Sequence, residues 1–401
     1  MVMRVTQALL FQSSKAGLQR QFQEIRSSQE QSLSGRSVNR PSDSPASQFR
    51  DLVAGSELAG VKSLKRSADF TAQRTDLAEQ HIQVIHDQFL DMQELASQLG
   101  SAQNYAVPQI FTAASQRAQA AYEEILQRAN QEMDGVSLFG GGRQAQPFST
   151  DNVAATAIRM RQQGRGGMVA TSGLNVDVSV ATAAVPASVK ITYHSPTSID
   201  VFIDGERQTP VENGEGTWDI GRGITLTLPR PSEKPEDGGA FTDGDQFFFE
   251  IVPAYKGGVA DRTLQIAGGQ EFAGNITGAE LIEGKGPLGR NVNLFGVAAG
   301  LRGALLRQDG DEVNAWLGQI LEGASQASDL QVVTGVRTAQ MEAMRDSLDA
   351  DQLALEEYKA TNVNVDVFEV FSRMEQATQA MQYMTATERQ VLNTSLLDFL
   401  K

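Results

Sequence analysis

The chain has 401 residues, 40% of them hydrophobic and 21% charged, with 12 prolines and no cysteine. That composition allows two or three domains with ordinary cores and excludes disulfides and cysteine-based metal or redox sites. A formal net charge of −15 argues against nucleic acid as the main partner, and no apolar run approaches the roughly 18 residues of a membrane span.

The charge is uneven. Residues 1–50 carry seven bases against three acids, and residues 351–401 carry four against eight. Two solvated faces account for this, as does mutual attraction of the chain ends, which salt would weaken. The N-terminus lacks a basic-then-apolar leader pattern, so export by the general secretory route is not expected.

The first segment, Thr6 to Leu33, reads as an amphipathic helix with Phe11, Leu18, Phe22 and Ile25 on one stripe and Gln29 and Ser32 continuing it in polar form. The stripe is thin, so the helix alone is marginal in water. Two readings stand: a helix docked on its own domain, or one that orders only on assembly. Gly35, Pro41 and Pro45 then break the helix, and the residue before each proline is pushed to extended geometry. Ser44 and Pro45 form an N-cap and N1 pair for the next helix.

That helix carries the longest seam in the chain. Steps of three and four residues pick out Val61, Leu64, Ala68, Thr71, Thr75, Ala78, Ile82, Ile85, Phe89, Met92, Ala96 and Leu99. A repeat of 3.5 residues over five heptads marks a helix packed along its length against others. At about 58 Å for the stretch from Val61, it needs a partner of similar length. After a turn at 100–108, a third helix from Gln109 to Met133 carries Ile110, Ala114, Ala118, Ala121, Ile125 and Ala129. Asp134-Gly135 stops it, and Leu138-Phe139-Gly140-Gly141 leads to Pro147-Phe148.

From Thr150 to Asn291 the period changes to two. Val189, Ile191 and Tyr193 alternate, as do Ile199, Val201 and Ile203, then Ile224, Leu226 and Leu228, then Phe247, Phe249 and Ile251. Turns at Asp204-Gly205, Asn213-Gly214 and Asp237-Gly238-Gly239 separate them. This predicts a mostly antiparallel β domain, a sandwich or a partly closed barrel.

Helical signals return at Leu294 with Leu301, Leu305 and Leu306. From Leu330 to Lys359 a long helix carries Met341, Met344, Leu348, Leu355 and Tyr358. It is the expected partner of the 61–99 seam, with Ile85 and Phe89 facing Met341 to Leu355. The last helix carries Val367, Phe371, Met374, Met381, Leu392 and Phe399 on one stripe, with Leu396 close by. Thr378, Thr385 and Glu388 interrupt it.

No catalytic constellation emerges, and no enzyme activity, cofactor or metal is expected. Gly284 to Gly289 matches G-x-G-x-x-G, but Pro287 removes an N–H from the would-be phosphate cradle and no helix starts there. The Asp-Gly-Asp pieces at 243–245 and 309–311 lack calcium-loop spacing and read as turns. His81 and His86 are five residues apart, off a shared helix face, and are expected at the surface.

The elbow Leu33-Ser34-Gly35-Arg36-Ser37-Val38-Asn39-Arg40-Pro41-Ser42-Asp43-Ser44-Pro45-Ala46 resembles the N-terminal region of bacterial flagellins and their junction relatives. The resemblance covers about the first 145 and the last 105 residues. The L-F-G-G and P-F pieces, and the ending Ser395-Leu396-Leu397-Asp398-Phe399-Leu400, look more like the flagellar hook–filament junction family (hook-associated protein 3) than like filament flagellin.

The residues thus predict an α+β multidomain chain. Both ends form a coiled-coil-like bundle of long helices, into which the antiparallel β domain is inserted. The expected divisions are 1–44 (terminal helix and elbow), 45–145 and 293–361 (two halves of a helical domain), 146–292 (β domain) and 362–401 (last helix). The resemblance implies a structural protein that joins hook to filament, polymerises through its terminal helices and templates flagellin assembly. Filament flagellin is the alternative, and a monomeric coiled-coil binding module with a β domain is the second. The implied interface is Phe11, Leu18, Phe22, Ile25, Val367, Phe371, Met374, Met381, Leu392 and Leu396. The implied bundle seam is Val61, Leu64, Ile82, Ile85, Phe89, Met92, Leu99, Met341, Met344, Leu348 and Leu355. Implied partners are other copies of the chain in a ring or tube, hook-associated protein 1, flagellin and a flagellar export chaperone, with no nucleic acid and no membrane insertion. The implied location is the extracellular flagellum, reached by the flagellar type III route.

Overall fold

The structure is a computed structural model that describes residues 2–37, 39–40, 44–100, 108–143, 145–162, 169–170, 175–178, 185–195, 197–214, 216–228, 241–258, 263–265, 271–273, 276–285, 290–362 and 364–399. For residues 2–11, 169–170, 263–265, 271–273, 362 and 390–399 it describes the backbone alone. The expected turns at 101–107 and Asp237 to Gly239 lie outside the described residues, as do Val38, Pro41 to Asp43 and Gly286 to Gly289.

Seven helices are described: α1 (Val2–Ser34), α2 (Pro45–Leu99), α3 (Pro108–Ala129), α4 (Gly278–Glu283), α5 (Leu294–Leu306), α6 (Gly310–Asn362) and α7 (Val367–Phe399). Between α3 and α4 run the strands. The first eight are β1 (Glu132–Met133), β2 (Val136–Ser137), β3 (Phe148–Ala155), β4 (Arg159–Arg161), β5 (Val169–Ala170), β6 (Asn175–Asp177), β7 (Ala187–Ser195) and β8 (Ser198–Ile203). The others are β9 (Glu206–Gln208), β10 (Val211–Gly214), β11 (Thr217–Asp219), β12 (Thr225–Thr227), β13 (Gln246–Tyr255), β14 (Thr263–Gln265) and β15 (Glu271–Ala273).

The chain divides into two compact units: a terminal unit of Met1–Arg66 with Met344–Lys401, and a central unit of Ser67–Ala343. Because α2 and α6 cross these limits, each long helix contributes a stretch to both.

α2 and α6 run antiparallel in each unit. In the terminal unit Lys62 Nζ lies 3.2 Å from Glu356 Oε1, and Lys65 pairs with Asp349. In the central unit Gln331 donates to Gln83, and the Thr338 hydroxyl donates to Asp76 at 3.4 Å. The partner helix is the expected one, but its reach and register differ. α6 begins twenty residues before Leu330, at Gly310, so the antiparallel register brings Phe89 to Gly323 instead of to Met341–Leu355. A Cβ on Gly323 would lie 2.4 Å from the Phe89 ring.

α5 is the floor of the central unit. Nearly all its residues are apolar, and such a helix is stable only when covered on every side. α3 packs on one side of it and the sheet of β13 and β7 on another. Phe295 stands edge-on to Phe148 at 5.0 Å and tilted to Tyr122 at 5.7 Å. Gly300 admits the indole of Trp316 from α6: a Cβ there would lie 2.1 Å from the ring.

One sheet runs β5-β4-β13-β7-β8-β9, with β3 pairing the far half of β13, and a second runs β10-β11-β12-β6. Among the described residues all the pairings are antiparallel and neither sheet closes on itself, so the expected barrel is not formed. A second core of Ile191, Val201, Phe247 and Phe249 from the first sheet and Trp218 and Leu226 from the second joins them. Asp204 and Gly205, both left-handed, make the two-residue turn from β8 to β9; Asp134 and Gly135 do the same for β1 and β2. β13 departs from the period-two expectation. Phe248, Glu250 and Val252 on its other face are also buried, because α5 covers that face.

Candidate assembly surface on the terminal helices

In the terminal unit α1 packs along α7. Of the two sequence readings of the first helix, docking within its own chain is therefore what the single chain adopts. The pair is antiparallel. Ser14 Oγ donates to Glu388 Oε1 at 2.7 Å, a Cβ on Gly17 would lie 3.3 Å from Met384, and Arg36 bridges Asn364.

Burial traces a seam on each helix. On α1 the inward positions Ser14, Leu18, Gln21, Ile25, Ser28 and Ser32 alternate in steps of four and three. On α7 Val370, Met374, Ala377, Met381, Met384 and Glu388 do the same. Both obey the 3.5-residue repeat of helices that pack lengthwise. The contacts above set a register that brings Ile25 level with Ala377 and Ser28 level with Met374. Ser28, Val370 and Ala377 are buried; the rest are half-buried.

The implied interface residues divide accordingly. Leu18, Ile25, Met374 and Met381 are half-buried in the pair. Phe22 is 61% exposed, Val367 47% and Phe371 50%, and Phe368 beside them reaches 89%. The side chains of Phe11, Leu392 and Leu396 lie outside the described residues. Val370, Ala377 and Ser28 escaped the sequence reading because it followed the largest apolar side chains. A search for small residues in the same 3.5-residue spacing, one position away, would have found them.

The pair therefore keeps its aromatic residues outside: Leu18, Ile25, Val370, Met374, Met381 and Met384 meet among small and polar residues in the seam, while Phe22, Phe368, Phe371 and Tyr383 face solvent. An ordinary amphipathic pair does the reverse. α2 and α6 leave a second apolar surface in this unit. Phe49, Val53, Ala54, Leu355 and Tyr358 line a groove of about 320 Å³. Phe49, Leu52 and Leu353 are more than half exposed.

The elbow is built by ion pairs and backbone contacts. Gly35 ends α1 in the left-handed region at φ +68°, and its carbonyl accepts from Val365 N–H at 3.1 Å. Asp51 on α2 holds both Arg36 and Lys359, the latter at 3.3 Å. Ser44 caps α2 as expected, accepting from Ser47 N–H at 3.4 Å. Above it, hydrogen bonds from Gln352 and Lys62 hold the Glu356 carboxyl below its usual range.

The seam residues fall in two groups. Val61, Leu64, Met344 and Leu355 are half-buried, whereas Ile82, Ile85, Phe89, Met92, Leu99, Met341 and Leu348 are buried. His81 corrects the surface expectation: it is 7% exposed beside Arg128, and burial with that cation pushes it below its usual range. The L-F-G-G piece is a packing element. Phe139 is buried, its carbonyl accepts from Gly278 N–H at 2.8 Å, and Gly140 accepts from Gly258 N–H at 3.0 Å. Gly284 is the left-handed C-cap of α4, and Asp309 caps α6 by accepting from Glu312 N–H at 3.0 Å. Among the described residues no helix is long and apolar enough to cross a membrane, and no group of three His, Asp or Glu could hold a metal.

No family model matches the chain, and no curated protein sequence matches it. Its neighbours among solved structures are flagellar hook-associated or junction proteins. The flagellar hook associated protein-3 of Legionella pneumophila is 14% identical over 77% of this chain and 98% of that one, with a TM-score of 0.38. FlgL of Xanthomonas campestris is 15% identical over 77% of this chain and 99% of that one, with a TM-score of 0.38. A putative flagellar hook-associated protein of Vibrio parahaemolyticus is 12% identical over 80% of this chain and 100% of that one, with a TM-score of 0.46. All three scores lie below 0.5.

Proposed function

We propose that the chain is a structural subunit of the bacterial flagellum that polymerises through its terminal helices at the hook–filament junction and templates flagellin there. One observation carries the reading: Phe22, Phe368, Phe371 and Tyr383 face outward from a pair whose own seam is filled by aliphatic, small and polar side chains alone. Fully covering one such side chain contributes about 1.5–3 kcal/mol, so neighbouring copies gain what the single chain leaves unused. The elbow motif and the Leu138–Gly141 and Ser395–Leu400 pieces support the same reading by resemblance. They also favour a junction protein over a filament flagellin. Copies of the same chain are the first partners. Hook-associated protein 1, flagellin and an export chaperone follow from the resemblance, as do type III export and an extracellular location.

Phe22→Asp and Phe371→Asp test it. Both side chains are already half or more exposed, so the monomer's melting temperature should barely move. A charge in a newly buried seam costs several kcal/mol, so incorporation onto hooks should fail and cells should shed flagellin without filaments. Equal loss of monomer stability would mean that these residues serve only the single chain. Normal motility in both variants would reject the interface.

A further inference from the structure

Glu250 stands in the middle of β13 with its carboxylate fully buried. Thr156, from the link between β3 and β4, donates its hydroxyl to Oε2 at 2.7 Å, and Oε1 has no hydrogen-bond partner among the described residues. Four charged groups from four other elements face it. Arg159 of β4 is nearest: its Nη1 lies 3.6 Å from Oε2, and that nitrogen too has no hydrogen-bond partner. Arg307, at the end of α5, is engaged twice by Glu312 of α6, once at 3.0 Å. Lys190 of β7 lies 3.9 Å from Glu312 and 3.3 Å from Asp309. Arg307 therefore serves Glu312, and Glu250 is left with a hydroxyl and an ion pair at 3.6 Å that makes no hydrogen bond.

Arg159 is held elsewhere. Its guanidinium lies 4.5 Å from the centroid of the Trp316 ring, and Nη2 donates to Gln319 Oε1 at 3.2 Å; both partners belong to α6. A cation on indole is favourable where water is excluded. A hydrogen-bonded guanidinium–carboxylate pair is stronger still, and Nη1 already stands 3.6 Å from the carboxylate.

We propose that Arg159 is a two-position side chain governed by the protonation of Glu250. With Glu250 neutral it rests on Trp316 and Gln319 of α6; with Glu250 ionised it turns to the carboxylate on β13. A proton taken from solvent by the sheet thus strengthens the sheet's hold on α6, and its release weakens that hold. The acid–base range follows independently of the geometry. Burial pushes the Glu250 carboxyl up to about 7, with Arg159, the Thr156 hydroxyl and Arg307 opposing and Glu312 reinforcing. In the unfolded chain it titrates near 4.5. The stability that neutral Glu250 contributes is therefore fully present below 4.5 and is lost as pH rises through about 7.

Trp316 reports the switch directly. The chain holds two tryptophans, so Trp218→Phe leaves Trp316 as the sole emitter. Its fluorescence in the full chain should show a single-proton step with a midpoint near 7, as the cation leaves the indole. Glu250→Gln copies the neutral carboxyl in shape and should hold the emission at its acid value throughout, and the thermal midpoint should lose its fall as pH rises through about 7. If Trp218→Phe does not fold, the difference spectrum between the parent and Glu250→Gln carries the same step. A step that survives in Glu250→Gln, or no step in the parent, overturns the proposal.

Discussion

Gly17 of α1 and Met384 of α7 meet at the limit of close packing: a Cβ on the glycine would lie 3.3 Å from both the sulfur and the methyl of Met384. Only the flexible end of a side chain opposes that Cβ. Gly17→Ala therefore sets about 1 kcal/mol of helix propensity against a shift of a few tenths of an ångström in a methionine. It should leave the pair intact or slightly more stable. Gly17→Leu should open it, seen as faster amide exchange along α1 and α7 with the central unit unchanged.

A second prediction concerns Asp51, whose carboxylate holds both Arg36 and Lys359 at the elbow. The cations are partly solvated, so Asp51→Asn should cost only about 1 kcal/mol. The loss should be local. Val365 N–H, which donates to Gly35, should exchange faster, and high salt should reproduce the effect in the parent chain.

Two neighbouring glycines give a third. Gly141 at φ +55° faces the Gly258 carbonyl, which a Cβ would approach to 1.8 Å, whereas Gly142 at φ +86° has open space. Gly142→Ala should cost about 1 kcal/mol of left-handed strain. Gly141→Ala adds a clash with backbone that cannot give way. Its urea midpoint should fall by several times as much.

Arg307 and Glu312 are a buried pair joining the end of α5 to α6. Arg307→Met leaves a buried carboxylate with only Lys190 at 3.9 Å, and should cost about 3–5 kcal/mol in equilibrium unfolding. Arg307→Met with Glu312→Met should recover most of that loss. If the double variant were no better than the single, the pair would matter for its shape and not for its charge.

His81 gives a fifth, opposite in sign to Glu250. Burial and Arg128 lower its folded value, so the stability of its neutral form is present above the unfolded value of 6.5 and is lost as pH falls through the folded one. His81→Gln should remove that acid-side loss from the urea midpoint and leave the Glu250 step in place.

The strands with clean alternation, β7 and β8, and the long seams of α2 and α6 were legible because one periodicity dominated each. The turns at Asp134 and Asp204 were legible because left-handed pairs favour Asp-Gly. What stayed hidden had partners that periodicity does not register. β13 reads as a one-sided strand, yet α5 covers its second face and buries Glu250 there. His81 reads as solvated because its burial depends on α3, which supplies Arg128. The α1–α7 seam was half legible: Leu18, Ile25, Met374 and Met381 lie in it, whereas Ser28 and Ala377, one residue from the expected stripe, carry little hydrophobic signal and pack by being small. The exposed Phe22 and Phe371 belonged to the expected stripe, but a sequence does not state which side of a helix its own chain will cover.

The place of α5 has a consequence for the order of events in folding. Its 13 residues begin at Leu294, and they meet α3 from residues 108–129 and β7 from 187–195. Those earlier elements have no floor to collapse on until the chain has been made almost three-quarters through. Contacts that close loops of more than a hundred residues carry a large entropic debt before they return any stability, so the central unit should fold slowly and late. A ribosome-bound chain stopped before residue 294 should remain sensitive to protease across α3 and β7, and one extended past Trp316 should become resistant in a single step.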